Sequence, residues 1–171
     1  MYNQPRAATI VALSDGVLWA MDRLSFKHIV LQSAHDKRVH YESLLAAVPM
    51  LKHLDTYERM NVADALVSRT FTSGERIIRE GDPADGMYFV EDGQVRVTIR
   101  KGSREVEACK IAKGKYFGEK ALVENSPRTA SVYAIGSVKV AFLERESFER
   151  LLGPCLDIMK REMKAYKKSS S

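Results

Sequence analysis

Tyr116-Phe117-Gly118-Glu119-Lys120-Ala121-Leu122-Val123-Glu124-Asn125-Ser126-Pro127-Arg128-Thr129-Ala130-Ser131-Val132 sets one glycine, one carboxylate and one guanidinium around a short apolar helical turn. Glu119 can accept hydrogen bonds from a sugar hydroxyl, and Arg128 offers a planar fork of donors to phosphate oxygens. Gly118 allows close backbone approach, while the free N–H groups of a helix begun near Glu119 favour an anion. A Glu and an Arg nine positions apart are by themselves an ordinary surface ion pair. The order FGEKAL…PRTASV is what reads as a pocket for a ribose and a phosphate.

Outward from this stretch, composition bounds the rest. The chain has 171 residues, 45% of them apolar, enough for one domain with a real core plus extra elements. No apolar run approaches the roughly 18 residues of a membrane span, and Pro5-Arg6 would interrupt a signal-peptide core. A cytoplasmic protein with no membrane partner is therefore expected. Cys109 and Cys155 have no metal-ligand spacing and read as reduced, structural thiols. The net charge of +5 comes partly from Lys160, Arg161, Lys164, Lys167 and Lys168, which on a helix form a solvated face. Nucleic acid is not expected as a partner.

The chain also resembles itself. At an offset of 122 positions, Asn3, Pro5, Arg6, Ala8, Ala12, Arg23, Ser25 and Phe26 meet identical residues at Asn125, Pro127, Arg128, Ala130, Ala134, Arg145, Ser147 and Phe148. So long an ungapped period means tandem domains, since solenoid repeats run about 20 to 50 residues. The expectation is that residues 1–33 are the C-terminal remnant of an upstream domain, 34–54 a helical connector and 55–171 a complete domain. Arg6 and Ala7 would then mark an upstream site lacking its glutamate.

Residues 7–13 and 17–22 read as two strands around the turn signal Ser14-Asp15-Gly16. From Arg23 to about Val48 the pattern is helical, and Asp55 with Glu58 predicts a capping box for a helix through Leu66. Short strands follow, punctuated by Ser73-Gly74, Glu80-Gly81-Asp82, Asp92-Gly93 and Lys113-Gly114; Gln94 to Ile99 alternates as a half-buried antiparallel strand should. Residues 130–135 and 138–143 read as a closing hairpin, then Arg145–Leu152 and Pro154 to about Tyr166 as helices. All four histidines, His28, His35, His40 and His53, precede this run of short strands, which argues against a metal-dependent enzyme built on them.

The opening string resembles the phosphate-binding cassette of cyclic-nucleotide-binding domains. That resemblance implies an α+β fold, an eight-strand antiparallel jelly-roll barrel flanked by N-terminal and C-terminal helices. It implies that Glu119 holds the ribose 2′-hydroxyl and Arg128 the exocyclic phosphate oxygens. The backbone at Gly118, Ala121, Leu122 and Thr129 would complete the cradle.

Three further strings, Tyr57–Leu66, Gly74–Asp82 and Ser147–Cys155, look like the second binding domain of regulatory subunits of cyclic AMP-dependent protein kinase, type II most of all. The implied function is a non-catalytic module without cofactor, whose binding of cyclic AMP relieves inhibition of a kinase catalytic subunit. Tyr166 stands where the family covers the base with a tyrosine. Tyr57 stands where an aromatic caps the upstream site across the domain junction, and with Arg6 and Ala7 makes up that incomplete site. Lys120 and Thr129 look like the cassette of cyclic-GMP-dependent kinases, so a cyclic-GMP sensor is the alternative. Cys109, however, stands where those kinases present an arginine to guanine. Self-association through the apolar hairpin of residues 7–22 is also expected.

Overall fold

The computed structural model describes residues 7–46, 48, 51–153, 156 and 160. The chain divides into two compact units, residues 1–33 and 34–171.

In the first unit the expected strands at 7–13 and 17–22 do not form; the segment has irregular backbone. Ile10, Val11, Leu13, Val17, Leu18, Trp19 and Met21 are exposed along it. A lone two-stranded ribbon is marginal in water, and the pairings of the sheet reach none of these residues. Regular structure begins where a cap starts it: Asp22 Oδ1 accepts from the Leu24 and Ser25 N–H groups at 2.9 Å each. Helix α1 (Arg23–Phe26) passes through a π-helical turn (Lys27–Leu31) into α2 (Gln32–Ala46), as the helical pattern predicted.

From residue 34 on, α2 belongs to the second unit. α3 (Thr56–Ala65) begins with the predicted capping box, Glu58 N–H donating to Asp55 Oδ1 and Asp55 N–H to Glu58 Oε2, both at 2.8 Å. Next come β1 (Val67–Phe71), β2 (Arg76–Ile78), β3 (Gly86–Lys101), β4 (Arg104–Ala112) and β5 (Tyr116–Phe117). The short helix α4 (Glu119–Val123), β6 (Ser131–Glu144) and α5 (Arg145–Leu152) complete the order.

The described residues form one six-stranded antiparallel sheet, not an eight-strand barrel, with order β1-β6-β3-β4; β2 also pairs with β6 and β5 with β3. Two of the breaks expected between strands are bends inside strands. Asp92-Gly93 lies within β3, and 131–135 and 138–144 are halves of one strand rather than a hairpin. β3 and β6 pair from Gly86↔Glu144 to Thr98↔Ser131, with register shifts on either side of Asp92. Gly93, at φ +83, permits this close passage: a Cβ there would lie 2.6 Å from the Ser137 carbonyl oxygen. Each long strand then serves two groups. β5 pairs with the start of β3 and β4 with its end, while β1 and β2 pair with opposite ends of β6.

Alternation along these strands makes two cores. Ile78, Tyr88, Val90, Val95, Phe117, Val132, Ala134, Val138, Val140 and Phe142 pack together on one side. Met87, Phe89, Ala141 and Leu143 face the other way, against Leu45, Val62, Leu122, Phe148 and Leu152 of the helices. The helix-side core therefore buries α4 and holds the cassette beside the start of β3.

Candidate functional site

The cassette occupies the connection from β5 to β6. Gly118 has φ +86, the left-handed region that favours glycine, and a Cβ there would lie 2.8 Å from Arg128 Nη1 and 3.2 Å from Ile78 Cδ1. Glycine is thus required twice over, by conformation and by the guanidinium packed against it. α4 starts immediately afterwards, burying Ala121, Leu122 and Val123 in the helix-side core.

Arg128 is only 4% exposed. Its Nη1 donates to the Gly118 carbonyl at 2.8 Å, and its Nη2 donates to Asp85 Oδ1 and to the Gly86 carbonyl at 2.6 Å each. Three of the five N–H groups of the fork are engaged in this way. The backbone is clamped as well: Arg128 N–H donates to the Asp82 carbonyl, and the Arg128 carbonyl accepts from Gly81 N–H, both at 2.8 Å. Glu80 N–H donates to Ser131 Oγ at 3.0 Å. The loop from Glu80 to Gly86 is therefore stitched along the cassette, by main-chain bonds at Gly81 and Asp82 and through the Ser131 and Arg128 side chains at its two ends.

Glu119 is half-buried at the first position of α4. Burial raises its pKa above the ordinary glutamate value, against the opposing pull of its own N–H group and of the Arg128 and Lys120 charges. Arg128 spends its ion pair on Asp85 and not on Glu119. The two groups are thus held separately, where a plain surface pair would have joined them.

The structure brings Gly118, Glu119, Ala121, Leu122 and Arg128 together. Thr129 follows Arg128 with an exposed side chain, and Cys109 is exposed on β4. Tyr57 projects from α3 and is 71% exposed. Ala7 is exposed in the first unit. Arg6 and Tyr166 lie outside the described residues, so the upstream site and the base-covering tyrosine have no structural account.

Sequence reasoning missed Asp85 and Gly86, although the Asp-Gly dipeptide is a turn signal. Gly86 is needed for room: a Cβ would lie 2.3 Å from the Leu143 carbonyl oxygen and 2.5 Å from the Phe142 ring. Tyr88 stacks on Phe117 at 5.1 Å beneath the cassette, and burial raises its pKa. A second missed feature is the buried Glu91, held by Lys139 Nζ, Ser68 Oγ and Tyr41 OH at 3.0 Å each and facing His40 Nε2 at 3.3 Å. Burial alone would raise the Glu91 pKa, but the hydrogen bonds led by Lys139 lower it overall; burial and the Glu91 charge push Tyr41 up to about 12. No residue pattern announces that network, because its members come from α2, β1, β3 and β6.

Residues 68–154 match the family described as Cyclic nucleotide-binding domain, and the chain belongs to that family. It is 59% identical over 167 residues to a cAMP-dependent protein kinase type II regulatory subunit from Drosophila melanogaster, covering 97% of this chain and 44% of the relative. A cAMP-dependent protein kinase regulatory subunit from Blastocladiella emersonii is 44% identical, with 98% and 42% of the two chains covered. The chain thus spans less than half the length of these relatives. Among solved structures, the regulatory domain of Toxoplasma gondii PKA with cAMP superposes with a TM-score of 0.76 at 42% identity, over 84% of this chain and 56% of that one.

Proposed function

We propose that residues 55–171 bind cyclic AMP and that this binding relieves inhibition of a protein kinase catalytic subunit, without catalysis by this chain. The observation that carries the reading is the buried Arg128 guanidinium, fixed in orientation by the Gly118 and Gly86 carbonyls and by Asp85. With three N–H groups so used, two are left for phosphate oxygens. Glu119, half-buried and apart from that pair, accepts from the ribose 2′-hydroxyl. The Gly118, Ala121, Leu122 and Thr129 backbone lines the phosphate, and Tyr166 covers the base, where stacking contributes roughly 1–3 kcal/mol.

Residues 1–33 belong in this reading to a second, upstream domain of the same kind, with Arg6, Ala7 and Tyr57 at its site, and 34–54 connect the two. A ligand shifts the kinase equilibrium only by its differential affinity for the free and kinase-bound forms. The relatives named above support cyclic AMP over cyclic GMP. Calorimetry with cyclic AMP, cyclic GMP and adenosine tests the proposal: cyclic AMP binds best and adenosine, lacking the phosphate, worst. Equal binding of all three would remove Arg128 from the reading.

A further inference from the structure

We propose that Ser103, at the tip of the β3–β4 hairpin, is a phosphorylation site whose basic flank both recruits a serine kinase and holds the phosphate once attached. The tip reads Arg100-Lys101-Gly102-Ser103-Arg104, and all five residues are exposed. Lys101 and Arg104 are the last cross-strand pair, with Gly102 and Ser103 as the two-residue turn between them. Gly102 has φ +63, the sign a type II′ hairpin turn needs at its first central position.

The terminal pair is the odd feature. Like charges directly opposite each other weaken a ladder, and neither Lys101 nor Arg104 has an ion-pair partner among the described residues. Glu105, which faces Arg100, is already committed: its carboxylate accepts from Thr98 Oγ1 at 3.1 Å and from Tyr133 OH at 3.1 and 3.2 Å. Glu80 Oε2 accepts from the Arg100 backbone N–H at 2.8 Å, which leaves Lys101 and Arg104, the pair at the turn itself, without a local acid among the described residues.

That repulsion has two effects. It makes the tip the weak end of the hairpin, so Arg100 to Arg104 can unpair into the extended form in which a kinase reads its substrate. Arg100 and Lys101 then stand three and two residues before the acceptor, a charge pattern that kinases with acidic substrate grooves select. Ser103 Oγ attacks the γ-phosphorus of ATP; the new O–P bond forms as the bond to the ADP oxygen breaks, and the hydroxyl proton passes to the base of the kinase. The product carries a charge of about −1.5 to −2 at neutral pH, one position from Arg104 and two from Lys101. A repelling pair becomes two cations bridged by one anion through charge-assisted bonds.

The test treats the full chain with the catalytic subunit of cyclic AMP-dependent protein kinase, ATP and Mg2+, and maps the product by mass spectrometry. Phosphate is expected on Ser103, absent in Ser103→Ala and incorporated about tenfold or more slowly in Arg100→Ala. Hydrogen exchange of the amides from Lys101 to Glu105 is expected to slow about threefold on phosphorylation, and Lys101→Ala to abolish that slowing. Phosphate found only elsewhere, for instance on the serines after Lys167-Lys168, overturns the site, as does no incorporation while a control peptide reacts. Unchanged exchange in fully phosphorylated protein overturns the cradle.

Discussion

Arg128→Ala separates what the guanidinium does for the fold from what it does for the ligand. Its side chain is nearly fully buried, and its loss strips a charged donor from the Gly118 carbonyl and another from the buried Gly86 carbonyl. An acceptor left without a partner costs about 1–3 kcal/mol. The pair with Asp85 adds at most about 1 kcal/mol, because that carboxylate is 61% exposed and screened by water. Water entering the vacated space recovers part of the loss, so ligand-free stability should fall by about 2–4 kcal/mol. With a urea slope of about 1–3 kcal/mol per molar, the midpoint moves down by roughly 1–2 M. Calorimetry on protein still folded should show cyclic AMP affinity reduced more than about a hundredfold, from the loss of two bonds worth about 1.5–3 kcal/mol each. A urea midpoint equal to that of the native protein would refute the structural account. Native-like affinity in a folded variant would refute the phosphate role, and the two failures are independent.

Glu119→Gln should weaken cyclic AMP more than 2′-deoxy cyclic AMP in calorimetry; equal losses would contradict the ribose role. Because burial raises its folded pKa, Glu119 favours the folded state at low pH and loses that contribution as pH rises through the folded value. Glu119→Gln should therefore make the ligand-free protein more stable at neutral pH, with the gain shrinking in acid, as urea titrations at pH 4 and 7 can decide. Glu91 has the opposite sign: its lowered pKa gives stability that is present above the unfolded value and lost as pH falls through the folded one. Glu91→Gln should flatten the acid limb of the stability profile, and an unchanged limb would mean that the network with Tyr41, Ser68 and Lys139 is energetically silent. Light scattering on the full chain and on a version starting at Arg23 should show association only in the former, driven by the exposed Leu13, Val17, Leu18 and Trp19. Two monomers at high concentration would dismiss that idea.

Local chemistry made much of this protein legible from its residues. The Asp55–Glu58 capping box, the helix through Leu152 and the cassette with Glu119 at the head of a helical turn all depend on neighbours a few positions apart. Such interactions are written in spacing. What failed were readings in which a local signal had a tertiary competitor. Asp92-Gly93 has the composition of a turn, yet pairing with β6 continues through it, because Gly93 admits the Ser137 carbonyl where a side chain would not fit. The apolar segment at 7–22 reads as two strands around a turn, but among the described residues the pairings of the sheet reach none of it. Only the folded chain could show that Arg128 pairs with Asp85, 43 positions away, rather than with Glu119, or that Glu91 collects donors from four elements. Partners of buried charges are chosen by the approach of distant strands and helices, and no sequence spacing records that approach.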